Sequence, residues 1–232
     1  MGNLFDIARF LKAFVQLLPY IKVTVGMVAI FMSLGTVLGI LVAVLRINRI
    51  PVIYQLLSVY ISFMRGTPLL VQLFISYYGL PLLVSAITGI DISNWSKLFF
   101  VNVAFILNEG AFLGEIFRGA IESVPAIQTE AAYSIGMTKA QTFFRIVLPQ
   151  SIKVAIPPYG IDFVGAFQGT SVAFMVGVID LMGRAKTIGA SSGHSLEPYL
   201  VVTIIYIVFS ILLNFIFARL NKHFSVGLKE VH

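Results

Sequence analysis

The sequence predicts an all-α integral membrane protein: five transmembrane helices, a polar helical hairpin outside the hydrocarbon, and an amphipathic helix at the N-terminus. Three observations predict it. Hydrophobic residues fill 58% of the 232 positions and charged ones only 11%, with a mean hydropathy of +0.95, which leaves too little charge to cover a soluble domain. Uncharged runs of about twenty residues, the length a helix needs to cross a bilayer, recur along the chain. A polar stretch broken by proline and glycine, residues 123–149, separates the third run from the fourth. The chain reads as one domain, 1–232, with a membrane core over residues 20–220.

In the first twenty residues Phe5, Phe10, Phe14, Leu17 and Leu18 can share one face with Lys12 and Gln16 opposite, the pattern of a helix lying on the outer interface. Val23 to Leu45 is uncharged and supplies the first span, ended by Arg46, Arg49 and Pro51. Val52 to Val84 is long enough for a tilted second span, interrupted by Arg65-Gly66-Thr67-Pro68, which bends it or lies at the membrane boundary. Ile87 to Lys97 is a short external loop with Trp95 as an interfacial aromatic. Leu98 to Ile121 forms the third span in spite of Glu109, Glu115 and Arg118.

Pro125 suits the first turn of a helix, with Ser123 as a cap ahead of it and Gly136 as its left-handed stop, so a short helix is expected from Pro125 to Ile135. Thr138 can cap a second helix whose Phe143, Phe144, Ile146 and Val147 cover one broad face; Pro149 interrupts or ends it. Ala131 and Ala132 leave a face with little bulk, on which another protein can approach the backbone while Glu130 offers a charge. Val154 to Ile179 gives the fourth span, with Asp162 near its cytoplasmic end as a solvated or capping group. Arg184 to Glu197 reads as a polar external loop, and Pro198 to Ala218 as the fifth span, followed by Arg219, Lys222 and Lys229. Gly35 with Gly39, Gly110 with Gly114, and Gly165 with Gly169 have the spacing that lets helices pack closely.

Composition also excludes several functions. Cysteine is absent and His194, His223 and His232 are scattered, so no metal cluster is expected. No Gly-Lys dipeptide occurs, which rules out a phosphate-cradling P-loop and leaves energy to a partner. The net charge of +6 fits orientation in a membrane better than nucleic acid, because Arg46, Arg49, Arg118, Lys139, Arg145, Lys153, Arg219, Lys222 and Lys229 all fall on the hairpin's side. The first apolar run follows Asp6, Arg9, Lys12 and Lys22 and is too long for a signal core, so the first helix is expected to stay.

Glu130-Ala131-Ala132, then Gly136, Ile146 and Leu148-Pro149 at fixed spacing, resemble the cytoplasmic coupling signature of permease subunits of bacterial ATP-binding-cassette importers. Met64 to Phe74 and Asn108 to Ile121 are similar to the polar amino-acid permeases of histidine, glutamine, arginine and cystine uptake, and the resemblance covers nearly the whole chain. It implies a non-enzymatic transport subunit in the bacterial cytoplasmic membrane, C-terminus inside, without a cofactor. Its implied partners are two ATP-binding subunits, an external solute-binding protein, and a second copy or a similar permease. The hairpin would transmit ATP-driven closure to the spans, which would move the amino acid by alternating access.

An ionisable group at membrane depth marks a pathway by default. Glu115 is the leading candidate, since in the resembling family a glutamate at the matching position lines the cargo cavity; pairing with Arg118 at i+3 is the alternative. Asn108 lies farther out on the same span. Related permeases often carry Lys-Asp-Thr-Ser-Leu-Ala where this chain has Gln168-Gly169-Thr170-Ser171-Val172-Ala173. Gln168 and Gly169 depart from that pattern, so the opened backbone and the hydroxyls of Thr170 and Ser171 would hold the cargo, or the hydroxyls bond their own helix instead. The altered stretch resembles sulfur amino-acid permeases, such as those for cystine. Ion-driven transport through Glu115, or a docking subunit that transports nothing, are the rival functions.

Overall fold

The computed structural model describes residues 5–225, and every regular element along them is helical. Lys229 and His232 lie outside the described residues. Eight helices are convenient to number: α1 Ile7–Ile47, α2 Pro51–Gly66, α3 Leu69–Thr88, α4 Lys97–Glu122, α5 Ala126–Ser134, α6 Lys139–Val176, α7 Leu181–Ser192 and α8 Leu196–Ser225. Among the described residues α1, α3, α4 and α8 are each long and apolar enough to cross a membrane, and α6 with α7, bent by 50°, passes the same test only when the two are taken together.

The N-terminal helix forms, but as the first turns of α1 rather than as a separate element. The Asp6 side chain caps it by accepting from Ala8 N at 2.8 Å. Pro19 lies inside the helix without ending it. Packing outweighs the lost donor: Ala13 and Leu17 are buried against Leu181, Ala185, Val201 and Val202. The Asp6 backbone N–H also donates to the buried Glu197 carboxylate at 3.1 Å, with the Arg9 guanidinium 3.8 Å from the same oxygen.

The second predicted span is two helices. Thr67, ahead of Pro68, takes the extended backbone that a following proline enforces (φ −120°, ψ 147°), and this separates α2 from α3. The break exposes carbonyls that a side chain satisfies: the Gln72 amide nitrogen donates to Met64 O at 2.8 Å and Thr67 O at 3.0 Å.

At the hairpin, Ser123 is the last cap of α4, its hydroxyl donating to Ala120 O at 2.8 Å, and Pro125 rather than Ser123 precedes the first turn of α5. Gly136 takes φ +85°, as its stop position requires. Thr138 and Gln141 form a reciprocal capping box at the start of α6. Pro149 does not end that helix. A π-helical turn at Phe143–Val147 absorbs the proline just beyond it, and α6 runs on past Pro157 and Pro158 to a tight 3-10 segment, Thr170–Val176.

The expected external loop from Arg184 is instead helix α7. Asp180 caps it by accepting from Gly183 N at 2.8 Å, and Leu181 N donates to Thr24 Oγ1 of α1 at 3.2 Å. After Leu181 its buried residues are small, Gly183, Ala185 and Gly189, which hydropathy barely registers. Arg184 and Lys186 lie over the rings of Tyr20 and Phe174, with their charged groups 5.4 and 4.9 Å from the ring centres.

The core is built where α1 crosses α4, with Phe31 and Phe105 stacked at 4.6 Å between ring centres and Leu73, Leu113, Ala166 and Phe167 around them. Two of the three glycine pairs serve this crossing, since Gly35 and Gly39 of α1 meet the Glu109 side chain and the backbone of Gly110, Leu113 and Gly114. Gly165 has nothing within 4 Å of where a Cβ would stand, so the third pair does not pack a helix among the described residues.

Candidate functional site

The hairpin presents two faces. On α5, Ile127, Glu130, Ala131 and Ser134 follow the i, i+3, i+4, i+7 spacing and are exposed, Ile127 to 68%. Thr129, Ala132 and Tyr133 turn the other way, toward α6 and the end of α4, and Ala132 is buried to 2%. Gln150 of α6 ties down the inner side by donating to Gln128 Oε1 at 2.5 Å and to Ile146 O at 2.8 Å. The two alanines therefore do different jobs. Ala131, with Glu130, is available to a partner; Ala132 lets α5 lie close to its own chain and cannot be touched from outside. Ile146 and Leu148 are half-buried, Gly136 and Pro149 exposed, and the apolar surface continues onto Ile135 and Phe144, exposed to 79% and 64%.

Among the predicted cargo residues, the structure separates what the sequence grouped. Glu115 spends its carboxylate on two arginines: Arg46 of α1 reaches one oxygen, and Arg118 donates to both, at 3.2 and 2.7 Å. Arg118 goes on to Glu122 at 2.5 Å, and Arg46 lies over the Tyr54 ring at 4.9 Å. The ion pair at i+3 exists, extended by Arg46 into a clasp joining α1, α2 and α4. Asn108 is buried and donates to Gln72 Oε1 at 2.8 Å, so it holds the α2–α3 break in place.

The segment from Gln168 to Ser171 divides in the same way. Thr170 is fully buried and donates to Phe167 O at 2.9 Å, the local backbone bond. Gly169 faces Leu69 and Phe105. Gln168 and Ser171 open into a cavity of about 660 Å³ that α6 shares with α7 and α8. Its far wall is Tyr199, Thr203, Tyr206, Ser210 and Asn214, and Gln168 donates to Ser210 Oγ at 3.1 Å. Sequence reading treated α8 only as an uncharged span. The spacing 199, 203, 206, 210, 214 is a polar helical stripe within it, and that periodicity was the available signal. A polar stripe at membrane depth belongs against protein or a wet pathway rather than lipid.

Asp162 is the other residue placed differently. It neither caps nor ends a helix, since α6 extends from Lys139 to Val176, and its carboxyl group meets that of Glu109 across the α4–α6 packing. Glu109 is 5% exposed, and Glu109 Oε2 and Asp162 Oδ2 have no hydrogen-bond partner among the described residues. Among the described residues neither acid forms an ion pair with a basic side chain, so the two carboxyl groups have each other as polar partner. Among the described residues no cluster of three metal-ligating side chains occurs.

Residues 35–226 match the family described as binding-protein-dependent transport system inner membrane component. The L-cystine transport system permease protein TcyL of Bacillus subtilis (strain 168) is 42% identical over 206 residues, 89% of this chain and 86% of that protein. The nopaline transport system permease protein NocM of Agrobacterium fabrum is 32% identical, over 93% of this chain and 88% of its own. In three dimensions the fold matches a crystal structure of an amino acid ABC transporter with histidines (TM-score 0.84, 27% identity, 94% of this chain and 99% of that one). It also matches the inward-facing MetNI methionine ABC transporter at TM-score 0.72 and 18% identity, over 90% of this chain and 95% of that one, a likeness of fold.

Proposed function

Because this chain belongs to the family of binding-protein-dependent transport system inner membrane components, we propose that it is the membrane-spanning subunit of an ATP-driven importer for a polar amino acid, with cystine or another sulfur amino acid as cargo. The observation that carries the reading is the two-faced hairpin. Its inner face turns toward α4 and α6, with Ala132 buried, whereas Ile127, Glu130 and Ala131 form an apolar and acidic outer face that none of the described residues covers. Such a face fits the groove of an ATP-binding subunit, two copies of which would close on nucleotide and pull α5 with α4 and α6.

The side of the membrane follows from charge. Arg46, Arg49, Arg118, Lys139, Arg145, Lys153 and Arg219 lie on the elements at the hairpin's end of the bundle, a charge bias that supports a reading in which that end, and the C-terminus with it, faces the cytoplasm of a bacterial cell. The polar stripe of α8 with Gln168 and Ser171 then faces a second copy or a similar permease, with the pathway between them. An external solute-binding protein delivers the cargo to that pathway. The cargo class rests on the cystine permease relative.

Uptake of labelled amino acids into vesicles holding this subunit, its ATP-binding subunit and its solute-binding protein tests the reading. Cystine is expected to enter and to be competed by unlabelled cystine; entry of another amino acid in preference corrects the cargo, and entry of none overturns the function.

A further inference from the structure

From an apolar groove and a polar hollow that meet at the foot of the hairpin, we infer that this subunit holds one anionic phospholipid there, its acyl chain between α1, α4 and α6 and its phosphate against Lys139. The groove has a volume of about 450 Å³ and is walled by Ile40, Val44, Phe117, Leu148, Ile156 and Phe143. Its few polar groups are already satisfied: the Ser151 hydroxyl donates to Val147 O at 2.9 Å, and the Tyr159 hydroxyl pairs with Thr36 at 3.0 Å. Such a wall suits a hydrocarbon chain and offers nothing to a polar cargo.

The hollow, about 320 Å³, shares Ile121 and Phe143 with the groove as wall residues, so the two adjoin. It is lined by Lys139, Thr129, Tyr133 and Thr142. The Thr142 hydroxyl is an independent pointer to a ligand, for Thr142 is 1% exposed and its oxygen has no partner among the described residues. Lys139 has no ion pair among the described residues, and it opens α6, whose N-terminal dipole also favours an anion. Glu122 borders the hollow, but Arg118 holds its carboxylate at 2.5 Å. The last turn of α4 forms one wall, so the hollow opens on the membrane side of the hairpin, away from Glu130 and Ala131.

A lipid seated there would join α5 to α6 through its headgroup and both to the bundle through its chain. The hairpin's stiffness would then depend on the anionic lipid of the surrounding leaflet.

The test is retention of lipid by the full-length chain purified in detergent, after exchange with phosphatidylglycerol and phosphatidylcholine of identical chains, read by native mass spectrometry. The unaltered chain is expected to keep phosphatidylglycerol preferentially, and Lys139→Gln to reduce that preference about fivefold, the effect of one basic group at a membrane surface. Arg219→Gln, which removes an equal charge elsewhere, should leave it unchanged. Ala155→Phe, which fills the groove, should lower retention of both lipids. Equal retention of the two lipids by the unaltered chain, an undiminished preference in Lys139→Gln of unchanged melting temperature, or displacement by glycerol phosphate as readily as by lipid would each overturn the proposal. None of these readings depends on transport.

Discussion

Gly39 of α1 and Gly114 of α4 lie backbone against backbone where the two longest buried faces of the molecule cross. A Cβ on Gly39 would stand 3.0 Å from Gly114 N and 2.8 Å from Leu113 Cβ, closer than side chains pack. Neither neighbour is a flexible chain end, so the helices would have to part. Gly39→Leu is expected to destabilise the subunit by about 1–3 kcal/mol, the usual cost of overpacking. Thermal melting in detergent reads it, with Gly165→Ala, which meets nothing within 4 Å, as the variant expected to melt no earlier.

Glu115 neutralises Arg46 and Arg118, whose side chains are 13% and 28% exposed. Glu115→Gln leaves two partly buried guanidinium groups without their shared anion. A loss of about 1–3 kcal/mol is expected, below that of a fully buried pair because water still reaches the clasp. The Michaelis constant for cargo should stay unchanged, because both carboxylate oxygens are occupied by protein. A raised Michaelis constant with unaltered melting would return Glu115 to the cargo site.

Gln72 joins the α2–α3 break to Asn108. Gln72→Leu takes the amide donor from the half-buried carbonyls of Met64 and Thr67 and leaves Asn108 with only its longer bond to Met64 O at 3.4 Å. The expected cost is about 1–3 kcal/mol, the range for a buried polar group left without its partner. Hydrogen exchange should show faster opening at residues 64–72 than in α8.

The neighbouring alanines of α5 separate docking from folding. Ala131→Trp is expected to abolish ATP-driven uptake by more than tenfold while leaving the melting temperature alone. Ala132→Trp should instead lower the melting temperature, because Ala132 is 2% exposed and packed within the hairpin. If both variants behave alike in both measurements, the assignment of the two faces fails.

The spans were legible because lipid imposes length and hydropathy: α1 and α8 contain the uncharged runs 23–45 and 198–218, and α4 matches the apolar run 98–121 in spite of its three charges. The hairpin was legible from Gly136, Thr138 and the residues around them, whose conformations are local. Helix α7 was not, since beyond Leu181 its buried residues are Gly and Ala and its charged residues lie over aromatic rings contributed from elsewhere. Of the two outcomes expected at Pro149 the helix takes the interruption, a wide turn that ends at Val147, and does not stop there. Glu115 and Asn108 were recognised as unusual for a membrane span, but their partners Arg46 and Gln72 lie 69 and 36 residues away and only the fold brings them together. The same holds for Glu109 and Asp162, whose meeting depends on how α4 packs against α6.

ATP dependence is the most direct test of the account. Cystine uptake by vesicles containing this subunit, its ATP-binding subunit and its solute-binding protein should require ATP on the hairpin side and stop when Ala131→Trp replaces the unaltered chain. Uptake that runs on an ion gradient with ATP and the ATP-binding subunit both omitted would contradict it.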